Sequence, residues 1–181
     1  MYVLHWERRT GERTMFKRIL VPTDGSPRAE HAARAAIELA KFLDASIIAL
    51  YVYAPLRIYP TDPFVAIPEL ISEKEYTKVQ QKAAKRYLGV IDKAARAADV
   101  RCTSLALEHE SAASAIVATA NAANAPCDLI FIGSHGRGAF TQMLLGSVTT
   151  KVQALCEIPV LIYRDPLAKK ASKKTKGAKK K

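Results

Sequence analysis

The sequence predicts an α/β protein, a doubly wound parallel sheet with helices on both faces. Five short apolar runs alternate with four segments of helical period, in the order βαβαβαβαβ. The strand runs are continuously apolar, as in parallel strands buried on both sides. Right-handed crossovers then wind the helices onto both faces of one sheet. A chain of 181 residues, 49% of them hydrophobic, fits a single domain with a sizeable core.

Lys17–Pro22 (KRILVP) reads as the first strand, followed by the turn-rich TDGSP. Ser26 is a fitting N-cap with Pro27 at the first helical position, where its fixed φ and missing N–H do no harm. Over Pro27–Leu43 the residues Ala29, Ala33, Ala36, Ile37, Ala40 and Leu43 share one helical face. Ser46–Tyr53 is a second strand. A loop punctuated by Pro55, Pro60, Pro63 and Pro68 leads to a long helix over Glu69–Ala98, broken near its start. Its polar face is of mixed charge, and Leu88, Ile91 and Ala95 point to the core. Val100–Glu108 is a third strand, the alanine-rich Ser111–Ala125 a third helix, and Asp128–Gly133 a fourth strand. Met143–Leu155 contains the last helix, with Val148, Val152 and Leu155 as its apolar stripe, and Ile158–Tyr163 is the fifth strand.

The net charge of +11 is unevenly placed. Eight lysines and no acid lie between Lys169 and Lys181, residues 1–14 contribute +1, and residues 15–168 are left with +2. A strongly basic domain is thereby excluded. The tail lacks any apolar period and reads as a disordered extension able to contact polyanions weakly and salt-sensitively. Residues 1–14 lack the apolar stretch of a secretion signal and read as a flexible arm. Cys102, Cys127 and Cys156 are sparse, odd in number and without a CxxC pair, which argues against a disulfide framework or zinc site and fits a cytoplasmic setting. No apolar run is long enough to span a bilayer.

Ligands of open parallel sheets sit beyond the C-terminal strand ends, where strand order reverses. Two loops are equipped to line such a crevice: Pro22–Ser26 and the stretch that opens at Gly133. Gly133 ends the fourth strand, and Gly136 and Gly138 offer backbone free to adopt positive φ and turn N–H groups toward an anion. Gly146, Ser147, Val148 and Thr149 stand at a helix start, where free N–H groups and the helix dipole favour phosphate, with the Ser147 and Thr149 hydroxyls as further donors. The P-loop pattern fails because Ala139-Phe140 follows Gly138, and the dinucleotide pattern GxGxxG fails because Gly136-Arg137-Gly138 leads to Thr141.

Gly133-x-x-Gly136, nine residues, then Gly146-Ser147 resembles the G-2x-G-9x-G-[S/T] signature of ATP-binding universal stress proteins. The opening ILVPTDGS and the closing IPVLIYR are similar to that family as well, and the likeness covers about residues 15–164. It implies strand order 3-2-1-4-5 in an adenine nucleotide alpha-hydrolase-like fold, with the arm and the tail from residue 165 outside the domain. It implies ATP or another adenine nucleotide as ligand, with Mg²⁺ bridging the phosphates. Gly133, His135, Gly136, Gly146, Ser147, Val148 and Thr149 would contact the nucleotide. Pro22, Thr23 and Asp24 would line the ribose and adenine side, Val52 would pack on the base, and Ile132 and Arg137 complete the expected set. It further implies a homodimer through Val160–Tyr163. One departure stands out: HESAAS (His109–Ser114) replaces the Gly-Asp/Asn-Pro turn common in the family.

Other roles compete at several of these residues. Asp24 also suits its own turn, His135 the loop backbone, and Arg137 either phosphate or solvent. His31 and His109 lack metal-ligand spacing. Three functions remain open: a nucleotide-dependent regulatory module, a slow ATPase or autophosphorylating enzyme, and a polyanion-binding protein acting through its tail. The motif offers no positioned general base, no carboxylate pair and no P-loop lysine, which weighs against the enzyme.

Overall fold

The computed structural model describes residues 15–56, 72–136 and 145–164. Residues 1–14, the loop prolines Pro60, Pro63 and Pro68, Arg137, Gly138 and the Lys169–Lys181 tail lie outside them.

Along the chain run β1 (Arg18–Thr23), α1 (Pro27–Leu43), β2 (Ser46–Tyr53), α2 (Glu73–Ala97), β3 (Cys102–Glu108), α3 (Ala112–Ala120), β4 (Leu129–Gly133), α4 (Ser147–Leu155) and β5 (Val160–Tyr163). The strands form one five-stranded parallel sheet in the order β3-β2-β1-β4-β5. The first β-α-β crossover returns β2 to one side of β1 (Ile19 beside Ile47), whereas β4 pairs on the other side (Ile19 beside Leu129). Strand order therefore reverses between β1 and β4.

Alternation along the strands divides the core in two. Ile19, Val21, Ile47, Ala49, Leu129 and Phe131 pack beneath α1 and α2. Leu20, Leu50, Ile130 and Ile132 point the other way, onto Ala113, Ile116 and Ala120 of α3 and Val152 of α4. The α1 face is small-residue: Ala29, Ala32, Ala33, Ala36 and Ala40 are buried, which lets the helix lie close on the sheet, while Leu43 at its end is only half-buried. Leu88, Ile91 and Ala95 of α2 are buried as their spacing predicts.

Helix ends follow local chemistry. Ser26 Oγ accepts from Ala29 N–H (3.2 Å) with Pro27 behind it, and Asp44 ends α1 in the left-handed region at φ 52°. A capping box between Ser72 and Glu75 starts α2, so the described helix begins at Glu73 rather than near Glu69. Hydrogen bonding to Ser72 holds the Glu75 carboxyl below its ordinary pKa. The alanine run continues to Ala125, but α3 stops at Ala120: Asn121 caps it and a turn from Ala122 to Ala125 follows. The third strand begins at Cys102, two residues later than predicted, and the fifth at Val160. The fourth begins at Leu129 because the Asp128 carboxylate is turned back to accept from the N–H groups of Lys17 (2.7 Å) and Arg18 (3.0 Å), closing the bottom of β1. The stripe expected on α4 is corrected: Val152 is buried, but Val148 and Leu155 are 38% and 56% exposed, and Thr149 is the other buried position. Among the described residues no helix is long and apolar enough to cross a membrane.

Candidate functional site

The turn after β1 is built by hydrogen bonds and one glycine. Thr23 Oγ1 accepts from Gly25 N–H (3.1 Å), and Asp24 Oδ1 accepts from Ser26 N–H (3.0 Å). Gly25 has φ +75°, and a Cβ there would overlap the ring of Tyr87, so only glycine fits. Pro22 sits near the end of a central strand, where a missing N–H would ordinarily be costly. It is tolerated because registered pairing between β1 and β4 is confined to Ile19–Leu129 and Leu20–Ile130, leaving the ends of both strands to part.

Beyond β4 the backbone turns at Ser134, whose N–H donates to Tyr163 O (2.8 Å) and whose carbonyl accepts from Gly146 N–H (2.8 Å). Thr149 Oγ1 donates to Gly133 O (2.8 Å), fastening the first turn of α4 to the end of β4. That hydroxyl is therefore engaged within the protein, which corrects its expected part as a phosphate donor. The positive φ expected at Gly136 is absent too; Gly25 is the glycine with that conformation among the described residues. At Gly136 the constraint is proximity: an added Cβ would lie 2.6 Å from Asp24 Oδ2. Asp24 thus joins both loops, through Ser26 N–H on one side and close packing against Gly136 on the other. His135 Nδ1 lies 3.2 Å from Ser134 Oγ, in keeping with a hydrogen-bonding role in the loop. His109 Nδ1 accepts from Ser111 N–H (3.0 Å) at the turn before α3.

These pieces enclose a cavity of about 380 Å³ on the α3/α4 side of the sheet, at the point of strand-order reversal. A cavity of this size is in the range that holds a small-molecule ligand. Pro22, Thr23, Asp24 and Val52 line it from the β1 and β2 ends, and Ile132, Gly133, His135 and Gly136 from β4 and its loop. Gly146, Ser147, Val148 and Thr149 line it from the start of α4. Every expected site residue within the described part of the chain is thus at one cavity, with Arg137 outside that part. The sequence reading missed Leu50, Ala112 and Ile116, which form an apolar wall with Val52 and Ile132. Their signal was available: Leu50 lies two residues from Val52 on one strand face, and Ala112 and Ile116 are four apart on one helix.

The opposite wall is polar in a different way. Helices α1, α2 and α3 begin with a serine side chain accepting from the first turn, but α4 begins with Gly146 and has no side-chain cap. The first-turn N–H groups of any helix lack intrahelical partners, and here they front the cavity. Ser147 beside them is exposed.

Fold and site together define a doubly wound α/β protein with a ligand crevice at its topological switch point. Residues 15–164 match the pattern of the universal stress protein family, and the chain belongs to that family. It is 33% identical over 165 residues to universal stress protein MJ0531 of Methanocaldococcus jannaschii, covering 91% of each chain. It is 31% identical over 150 residues to universal stress protein Rv2005c of Mycobacterium tuberculosis, covering 81% of this chain but spanning only 45% of that protein. Among solved structures, hypothetical protein MJ0577 has a TM-score of 0.66 at 27% identity, over 83% of this chain and 97% of its own. A universal stress protein solved in complex with cAMP has a TM-score of 0.59 at 22% identity, over 82% and 97%. The universal stress protein from Archaeoglobus fulgidus in complex with dAMP has 0.52 at 19%, over 82% and 98%. The last two establish likeness of fold.

Proposed function

We propose that the cavity binds an adenine nucleotide, ATP above all, and that the domain of residues 15–164 is a nucleotide-dependent regulatory module of a cytoplasmic stress response. The observation that carries this reading is the divided lining of the cavity. Leu50, Val52, Ile116 and Ile132 offer an apolar slot for a purine, while the uncapped start of α4 offers N–H groups and a positive dipole end for phosphates. Asp24, in the same lining, would accept from a ribose hydroxyl. The complexes of two proteins of this fold with cAMP and dAMP support an adenine ligand, and the three free cysteines accord with a reducing compartment.

Mg²⁺ would be held mainly by the phosphates; the hard oxygen donors Asp24 and Ser147 in the lining suit it. Asp24 is the one carboxylate among the described lining residues, and its Oδ1 already accepts from Ser26. This favours binding and switching over turnover. A nucleotide switches the protein to the extent that it binds one state better than another, and Asp24, packed against both loops, is the side chain whose position occupancy would change. A homodimer through β5 belongs to the same reading, because that edge strand leaves Leu161 38% exposed and an unpaired strand edge invites pairing.

The test is nucleotide release from freshly purified protein, with native mass, followed by ATP titration of Ser147→Asp. The wild type is expected as a dimer carrying near-stoichiometric adenine nucleotide. An added carboxylate at an exposed helix start preserves the fold but repels phosphate, lowering ATP affinity about tenfold or more. Undiminished affinity in the variant would remove the phosphates from α4.

A further inference from the structure

Helix α2 carries a feature that the cavity does not use. Lys74, Lys78, Lys82 and Lys85 follow one another at helical spacing, and Lys93 and Arg96 continue the row. At about 100° per residue all six fall within an arc of roughly 100°. The buried side, Ala84, Leu88, Ile91 and Ala95, is centred about 120° around the helix from the row. All six cations are exposed, and Arg86 at the margin of the row lies over the Tyr87 ring, its guanidinium carbon 4.8 Å from the centroid. The row spans about 33 Å at 1.5 Å rise per residue.

Neutralisation along the row is slight. The ion pair found here among the described residues is Arg96 with Asp92 (2.8 Å), and Glu75 is turned into the capping box with Ser72. Gly89 lies at the middle of the arc. Glycine in a helix interior costs about 1 kcal/mol relative to alanine, yet a Cβ at Gly89 would meet nothing within 4 Å. No packing within the described chain calls for glycine there. Its effect is to leave a shallow place in the cationic row.

We propose that the outer face of α2 docks on the phosphate backbone of double-stranded DNA without reading its sequence. A row of cations about 5 to 6 Å apart, broken by a gap of about 12 Å at Gly89, complements a linear polyanion bearing one charge per roughly 1.7 Å of axis. The helix is held to the sheet by its apolar side, so it presents one face to a backbone and cannot sink into a groove to read base edges. The cationic arc has no aromatic side chain at its exposed positions, and stacking is what favours single strands; the duplex is the better partner. The apolar side is buried in the core and is not available to enter a lipid surface. The Lys169–Lys181 tail has the same sign of charge, and deleting it separates its contribution from that of the α2 row.

The experiment is fluorescence anisotropy with a labelled mixed-sequence duplex of roughly 30 base pairs, titrated between about 50 and 200 mM salt. The proteins compared are the full chain, the chain lacking Lys169–Lys181, and in both backgrounds Lys78→Gln/Lys82→Gln/Lys85→Gln and Gly89→Glu. Removing one lysine–phosphate pairing lowers the slope of log K against log salt by about 0.9. The triple variant is expected to lower it by about 2 to 3, with or without the tail. Gly89→Glu fills open space with a better helix former, so its melting temperature should be kept or raised while duplex affinity falls several-fold. An unchanged slope in the triple variant, unchanged affinity in Gly89→Glu, equal or tighter binding to oligo-dT of the same length, or preference for phosphatidylserine vesicles over the duplex each overturns the proposal.

Discussion

One face of the sheet lies under α1 and α2, of 17 and 25 residues; the other lies under α3 and α4, of nine each. A nine-residue helix is about 14 Å long, whereas an eight-residue strand such as β2 runs about 26 Å. The long pair covers its strands from end to end. The short pair cannot, and the uncovered length falls at the C-terminal ends of β1, β2 and β4, where Val52, Ile132 and Pro22 line the cavity. The start of α4 adds to this, because Gly146 gives it no side-chain cap whereas α1, α2 and α3 each begin with a capping serine. Closure is set by helix length as much as by hydrophobic content.

The largest way to break this contrast acts on the closed side. Gly25→Val forces a branched side chain into a left-handed conformation and into the Tyr87 ring, and is expected to cost about 3 kcal/mol or more in urea unfolding. A stability equal to wild type would mean that the β1 turn and α2 are not packed as described. Next is Thr149→Val, which leaves the Gly133 carbonyl without its hydroxyl donor. A loss of about 1 to 3 kcal/mol is expected, together with weaker ATP binding as the first turn of α4 loosens from β4. Ser26→Ala and Ser147→Asp then form an opposed pair. The first removes a cap and costs about 1 kcal/mol; the second adds a carboxylate beside an open helix start and stabilises by about 0.3 to 1 kcal/mol. Thermal melts of the two should move in opposite directions.

A last effect is confined to alkaline pH. Burial raises the Cys127 thiol to about 11. A thiol whose folded pKa is raised favours the folded state fully below the unfolded value near 9, and that contribution is lost as pH rises from there toward about 11. Native protein should lose stability over that window, and Cys127→Ala should flatten the loss.

How far this contrast is legible in the sequence depends on whether local chemistry or tertiary packing decides each point. Helix α1 is readable to the residue because Ser26-Pro27 starts it and Asp44 ends it locally. Strand order follows from the family signature rather than from strand composition. Helix α3 is shorter than its alanine run suggests: alanine has high helix propensity, and propensity alone does not say where burial ceases. The stripe on α4 misleads for a related reason. Three valine and leucine positions fit the helical period, but a helix this short, set at a cavity, buries Thr149 and Val152 and leaves Val148 on the rim. Glycine spacing locates the polar half of the cavity well. The apolar half is hidden, since Leu50 and Ile116 look like any core residue until the strand ends are seen to part.

The two hydrogen bonds of Ser134 have a consequence for how such a protein diversifies. With its N–H on Tyr163 and its carbonyl on Gly146, this residue pins the exit of β4, the edge strand and the start of α4 to one point. The sequence between Gly136 and Leu145 therefore departs from and returns to anchored positions. The nine-residue spacing between Gly136 and Gly146 is thus held at both ends, and a change in its length would be absorbed at the cavity rather than in the sheet.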